Sequence, residues 1–123
     1  MKAIHLFFLT VMSVFMLHNS HAQKIEYSVE KVWGDGTWHC AFTSIVEFKG
    51  RYYISMREYD SHIFNSEGEA EGRIRIISSK SGRKWESVAL ISKEGYDLRD
   101  PKLSVTPDNR LMVTVGGSIY RNK

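Results

Sequence analysis

Residues 41–56 read Ala-Phe-Thr-Ser-Ile-Val-Glu-Phe-Lys-Gly-Arg-Tyr-Tyr-Ile-Ser-Met. Two runs rich in β-branched and aromatic side chains flank Lys49-Gly50, and such runs on either side of a two-residue turn with glycine predict a β-hairpin. We therefore expect strands over residues 41–48 and 51–56. A hairpin at this point favours a β-sheet fold for the chain around it.

The chain on both sides of the hairpin shows the same kind of pattern. Before it, residues 25–32 alternate apolar and polar side chains, which predicts a half-buried strand. No segment after residue 22 shows the period of an α-helix. After the hairpin, apolar runs separated by turn residues predict strands over residues 73–78, 84–91, 102–106 and 111–115. We therefore expect an all-β fold, an antiparallel β-meander.

The composition is that of an ordinary globular protein. With 123 residues, of which 42% are hydrophobic and 25% charged, the chain has room for one small domain at most. Cys40 is the only cysteine, so no intrachain disulfide can hold the fold together. The net charge of +3 is small and the basic residues alternate with acids, which argues against nucleic acid as a partner. Glu67, Glu69 and Glu71 lack a companion histidine cluster, so we expect neither a metal nor another cofactor.

The amino-terminal segment predicts export. Lys2 is followed by an apolar run over residues 3–17 and by a polar stretch with small residues at Ser20 and Ala22. This order is typical of a secretory signal peptide, here residues 1–22 with cleavage after Ala22. The apolar run is shorter than the roughly 20 residues that a membrane-spanning helix needs. We therefore expect a secreted or periplasmic protein with no membrane association after cleavage.

One turn carries a motif. The stretch Ser78-Ser79-Lys80-Ser81-Gly82-Arg83-Lys84-Trp85 resembles the Asp-box, Ser-x-Asp-x-Gly-x-x-Trp, of the sialidase superfamily (BNR repeat). Ser78, Gly82 and Trp85 match, whereas Lys80 stands where the motif has aspartate, which removes one hydrogen bond from the turn. Glycine in this motif supplies a positive φ angle, and we expect the tryptophan to pack into the sheet.

This resemblance implies a fold and an activity. Members of the exo-α-sialidase family are six-bladed β-propellers, and residues 23–123 are similar to one to two such blades: a first blade over about 41–92 and the start of a second over about 100–117. The implied protein is an incomplete propeller from a secreted sialidase-like glycoside hydrolase. Its partner is a glycan or glycoside substrate, and the oligomeric state stays open.

The sequence also departs from the family. Sialidases bind the sugar carboxylate with three arginines and use a tyrosine nucleophile paired with glutamate, together with an aspartate as acid/base. The strand that would carry the first arginine reads Ala41-Phe42-Thr43-Ser44-Ile45, and the tyrosine and glutamate belong to later blades. Two alternatives therefore stay open: a non-catalytic glycan- or protein-binding propeller fragment, and an inactive truncated chain. Arg99-Asp100-Pro101 also resembles a motif of five-bladed fructan- and sucrose-cleaving hydrolases, although their Asn-Asp-Pro-Asn motif is absent.

Candidate site residues cluster around the two longest loops, residues 58–71 and 92–100, because long loops in compact domains often carry function. The resemblance implies an acid/base residue after the second strand, where the catalytic candidates are Asp60 and His62. Arginine can donate two parallel hydrogen bonds to a carboxylate, and tryptophan can stack on a sugar ring. The substrate-binding candidates on this basis are Arg57, Glu58, Arg99, Asp100, Trp38 and His39. Arg57-Glu58 can instead form a surface ion pair, and Asp100 can instead be a turn residue before Pro101.

Overall fold

The computed structural model of the protein describes residues 25–63, 65 and 69–120. Residues 25–30 belong to one compact unit and the described residues from 31 onward to another. The predicted signal peptide lies outside the described residues. The strand predicted over 25–32 is wrong: this segment forms no strand, and Ile25, Tyr27 and Val29 are exposed. Alternation decides which side chains would share a face, but a strand also needs a neighbour for its backbone hydrogen bonds.

The second unit is built from six strands. The first four form an antiparallel sheet in the order β1-β2-β3-β4, and the last two form a separate antiparallel pair. No helix occurs among the described residues, so the all-β meander is confirmed. The strands are β1 (His39–Phe48), β2 (Arg51–Tyr59), β3 (Arg73–Ser79), β4 (Glu86–Ile91), β5 (Asp97–Val105) and β6 (Leu111–Ser118).

In the part of the chain that the structure describes, no helix is long and apolar enough to cross a membrane.

The β1–β2 hairpin closes through the predicted two-residue turn. Phe48 pairs with Arg51, and Lys49 and Gly50 have φ angles of 49° and 71°. Two consecutive positive φ angles define the type I′ turn, whose twist matches that of the flanking strands. The turn therefore sets the register of the hairpin from Phe48–Arg51 as far as Ser44–Ser55.

The β1–β2 and β5–β6 hairpins contain the same irregularity. The β1–β2 register shifts between Ala41 and Ser44, and the β5–β6 register shifts between Arg99 and Lys102. In each case two residues stand opposite one, which is a β-bulge. The first residue of each bulge, Phe42 or Asp100, has a left-handed φ angle, 57° and 49° respectively, which is uncommon outside glycine. The second hairpin thus repeats the backbone design of the first.

The core lies between the four-stranded sheet and the β5–β6 pair. Ile74 and Ile76 of β3 are buried against Leu98 of β5. Partly buried apolar side chains surround them: Tyr53, Ala89, Ile91, Tyr96, Leu103, Val113 and Val115. β5 begins at Asp97, inside the segment predicted as a loop over 92–100, because Leu98 is drawn into this core. Arg99 and Asp100 are consequently strand residues.

Polar contacts fix β5 on the first sheet. The Leu103 amide donates a hydrogen bond to Ser44 Oγ over 3.1 Å, and the buried Ser55 hydroxyl donates to the Pro101 carbonyl over 3.5 Å. Ser44 and Ser55 lie next to the first bulge, and Pro101 and Leu103 lie in or near the second bulge. The two bulges are therefore held next to each other.

Ser79 stabilises the turn that has the Asp-box resemblance. The Ser79 hydroxyl accepts hydrogen bonds from the amides of Gly82, at 2.9 Å, and Ser81, at 3.3 Å. Gly82 has a φ of 74°, which confirms the expected positive angle. Trp85 is half-buried, and its indole N–H donates to the Gly82 carbonyl over 3.0 Å. Ser78 is buried and accepts from Arg51 instead, so its neighbour Ser79 caps the turn.

Replacing Gly50 with alanine tests the type I′ turn. We expect Gly50→Ala to lower the free energy of unfolding by about 1–2 kcal/mol, because an L-residue with a Cβ pays that cost in the left-handed region. Urea denaturation measures the change. Lys49→Asn is the matched control and should keep or raise stability, since asparagine tolerates that region. Equal midpoints for Gly50→Ala and the unmodified protein would contradict this turn assignment.

Candidate functional site

The end of β2 divides the predicted site residues into two groups. Arg57 and Glu58 are neighbours in a strand, so their side chains point to opposite faces of the sheet. Both are buried, with exposed fractions of 0% and 2%. The alternative of a surface ion pair between them is therefore wrong. Each is instead the centre of its own polar network.

Arg57 is paired with a carboxylate from the other sheet. Its Nε and Nη2 donate hydrogen bonds to Asp97 Oδ1 over 3.0 and 2.7 Å, and its Nη1 donates to the Ser61 carbonyl over 3.0 Å. Both side chains of the ion pair are fully buried. A buried charge is tolerated only when it is paired and hydrogen-bonded, and this one is. The Arg57–Asp97 pair joins β2, the segment after it and the start of β5.

Gly72 brings the chain close to this pair. Its amide donates to Asp97 Oδ1 over 2.8 Å, and its carbonyl accepts from the Leu98 amide over 2.9 Å. A Cβ at this position would overlap Asp97 Oδ1 and Arg57 Nε. Glycine is therefore required here by space, and it closes the buried side of the network.

Arg99 forms the solvent-facing side of the same network. Its Nε donates to the second oxygen of Asp97, and its Nη2 donates to the His62 carbonyl over 3.3 Å. The ring of His62 lies 5.3 Å from that of His39 and 5.2 Å from that of Phe42, measured between centroids. We call the group formed by Arg99, His39, His62 and Phe42 the Arg99 site. Both histidines are exposed.

Two carboxylates border the Arg99 site in the chain. Asp60 follows the last residue of β2, and Asp100 follows Arg99 at the β5 bulge; both are exposed. The bulge position re-aims a side chain relative to a regular strand. Asp100 is therefore a bulge residue rather than a turn residue.

Glu58 centres a second network on the opposite face. Its Oε1 accepts from the indole N–H of Trp33 over 3.1 Å and from Arg75 Nε over 3.2 Å, and its Oε2 accepts from Arg75 Nη2 over 3.1 Å. Arg73 Nε lies 3.3 Å from Glu58 Oε2 as an ion pair. The guanidinium of Arg73 stacks on Trp38, 4.0 Å from its ring centroid. Trp38 thus belongs with Glu58 and not with its neighbour His39.

A pocket of about 340 Å³ opens beside this network. We call it the tryptophan pocket. Its walls include Trp33, Asp35, Trp38, Cys40, Glu58 and Arg75.

The two buried carboxylates stay ionised. Burial by itself would raise the pKa of Asp97, but hydrogen bonds from Arg99, Arg57 and the Gly72 amide outweigh it and hold the pKa below its ordinary value. Glu58 follows the same balance: burial raises its pKa, and the hydrogen bonds from Arg75 and Trp33 lower it further than burial lifts it. Neither carboxylate can therefore supply a proton near neutral pH.

Sequence reasoning missed the two residues on which the Arg99 site depends, Asp97 and Gly72. The available signal for Asp97 was its position two residues before Arg99, which places both side chains on one face if the segment is a strand. The loop assignment over 92–100 hid that spacing. Gly72 gives no signal in the sequence, because its role depends on what packs against it.

Within the described ranges, no group of three or more histidine, cysteine, aspartate or glutamate side chains is placed to hold a metal ion. Comparisons with protein-family models, with curated proteins and with solved structures found no match to this chain.

The charge on Asp97 can be removed with little change in shape. We expect Asp97→Asn to lower the free energy of unfolding by about 3–5 kcal/mol, because two arginines lose their shared counter-ion and one of them is fully buried. Asp108→Asn is the matched control: Asp108 pairs with Arg110 at the surface and should change stability little. Thermal and urea unfolding of both variants measure the difference.

Acidification should act through the same group. Since the pKa of Asp97 is lower in the folded than in the unfolded chain, its stabilisation is complete above about pH 4 and is lost as pH falls through the folded pKa. The unmodified protein should therefore lose stability steeply on acidification, and Asp97→Asn less steeply. Parallel pH profiles would contradict the role given to the ion pair.

The lack of room for a side chain at Gly72 gives a separate test of the packing around the ion pair. Gly72→Ala should destabilise the protein by at least about 1–3 kcal/mol, since the added methyl overlaps the buried ion pair and overpacking has this cost. Gly116→Ala is the control, because a Cβ there meets only the Arg99 carbonyl at 3.5 Å, an ordinary contact. Differential scanning calorimetry compares the two. Similar melting temperatures would show that the chain relaxes freely around Gly72.

Proposed function

We propose that the chain carries part of the substrate site of an exported, sialidase-like glycoside hydrolase, and that the Arg99 site receives an acidic sugar. The observation that carries the proposal is the arrangement of Arg99 itself. Its guanidinium is fixed by the buried Asp97 and by the His62 carbonyl, and the exposed ring of His62 lies 5.3 Å from that of His39.

The chemistry of Arg99 suits a sugar carboxylate. The hydrogen bond to Asp97 raises the pKa of Arg99, so the group is always charged. A guanidinium held on one edge can present its remaining N–H groups to a carboxylate without losing further side-chain entropy. Arg57 is fully buried, and its part in this proposal is to position Asp97 and through it Arg99. It is a positioning residue and not a ligand.

Proton transfer in this proposal falls to Asp60 and His62. Asp97 and Glu58 have lowered pKa values and are excluded as acids. Histidine is the side chain most often used as a general acid or base, and the exposed ring of His62 is accessible to a substrate bound at Arg99. Asp60 lies directly after β2, in the segment where the family resemblance implies an acid/base residue.

The repeated hairpins support the architectural part of the proposal. The β1–β2 and β5–β6 hairpins share the same bulge with a left-handed residue, and the first continues into a four-stranded meander. A propeller is made of such repeated meanders. We propose that residues 41–92 form a first blade and that about 100–117 begin a second. Phe42 occupies the strand where the resemblance implies an arginine, so the sugar contacts there would be apolar.

A glycoside screen tests the function. The full chain is assayed with fluorogenic sialosides and with neutral fluorogenic glycosides, and its binding is measured on a glycan array. We expect activity or binding with acidic sugars. Arg99→Gln should reduce it at least about tenfold, because a charge-assisted hydrogen bond contributes about 1.5–3 kcal/mol. Arg110→Gln, an exposed arginine outside the site, is the control and should have no effect.

The outcomes separate the candidate functions. Binding of acidic glycans without hydrolysis would assign a non-catalytic glycan-binding protein. If no acidic glycan is either hydrolysed or bound, both candidate functions are excluded. An unchanged signal in Arg99→Gln would show that the acidic group is held elsewhere.

A further inference from the structure

We propose that the tryptophan pocket is a separate binding site for one neutral sugar ring. It lies on the Glu58 face of β2, whereas the Arg99 site lies on the Arg57 face, and none of its walls belongs to the Arg99 site. The proposal does not depend on the function proposed for the Arg99 site.

The pocket is held rigid before any ligand binds. Glu58 is 2% exposed, and its two oxygens fix the indole edge of Trp33 and the guanidinium of Arg75. Arg75 is fixed a second time, since its Nη1 donates to Ser87 Oγ over 2.8 Å. Trp38 is held from one face by Arg73. Little side-chain freedom is left to lose on binding, which favours affinity.

Charges of both signs surround the pocket, which favours a neutral ligand. Glu58 and Asp35 are negative, whereas Arg75 and the neighbouring Lys31 are positive. A cation would approach the guanidinium of Arg75, and the positive charge of Arg73 on one face of Trp38 would oppose a second cation on the other face. An anion would meet the ionised carboxylates of Glu58 and Asp35. Burial raises the pKa of Cys40, so its thiol adds no charge. Ligands of either sign therefore meet a like charge at close range.

The remaining features fit a sugar ring. Trp38 is 37% exposed, which leaves part of an aromatic surface for the C–H face of a pyranose. Asp35 accepts hydrogen bonds from the Thr37 amide and side chain, and its two exposed carboxylate oxygens have lone pairs left for a sugar hydroxyl. Each Nη of Arg75 carries a second hydrogen beyond its bonds to Glu58 and Ser87. The volume of about 340 Å³ lies at the lower end of the range for small-molecule sites, which suits one ring.

Tryptophan fluorescence gives a direct test, because the chain has only 3 tryptophans and two of them line this pocket. The full chain is titrated with methyl glucoside, methyl galactoside and N-acetylglucosamine, and in parallel with sialic acid and lysine amide. We expect a saturable change with at least one neutral sugar. Trp38→Ala should raise the Kd at least about tenfold. Trp85→Phe removes the tryptophan outside the pocket and should leave the Kd unchanged.

Two further variants make the result decisive. Asp35→Asn keeps the shape of an exposed side chain and should also weaken binding of the neutral sugar. Circular dichroism verifies that each variant is folded. Arg99→Gln should leave this Kd unchanged, so failure here and failure at the Arg99 site can be told apart. The proposal is overturned if no neutral sugar gives a saturable change, if Trp38→Ala leaves the Kd unchanged, or if either charged probe binds Arg99→Gln more tightly than every neutral sugar does.

Discussion

The burial of Arg57 against Asp97 is the constraint around which the rest of the molecule is arranged. The pair takes its members from two different sheets, and the Gly72 amide and Arg99 complete the hydrogen bonds of the carboxylate. An isolated charge in that position would cost several kcal/mol, so the two sheets can pack only in the arrangement that brings both partners together. A pair of this kind adds little net stability compared with an apolar core, but it is selective about geometry. It specifies how the β5–β6 pair sits on the first sheet.

The fold was predictable from the sequence to the extent that it depends on local pattern. The Lys49-Gly50 turn and the apolar runs predicted a strand within each of the six observed strands, because turn chemistry and period-two alternation act within a few residues. The same pattern failed over 25–32, where alternation is present but no strand forms. It also misplaced the start of β5, since Asp97 and Arg99 look like loop residues until their partner across the core is known.

The candidate site was predictable in its membership more than in its arrangement. The sequence identified Arg57, Glu58, His62 and Arg99 as residues of interest, and the structure gathers three of them on one face. It could not show that Arg57 and Glu58 serve different sites, although strand alternation implies it once β2 extends through them. Trp38 and His39 separate for the same reason. Long-range partners such as Gly72 are set by packing and leave no local signal.

Arg57 and Glu58 also carry information about pairing. A shift of β2 by one residue would exchange the two faces, placing a carboxylate against Asp97 and a guanidinium among Arg73 and Arg75. Each misplaced charge would be buried beside its own sign. The adjacent arginine and glutamate therefore help to fix the register of β2, whether or not a ligand is bound. The charge order at the end of β2 therefore opposes the slipped sheet by electrostatics, in addition to what apolar packing contributes.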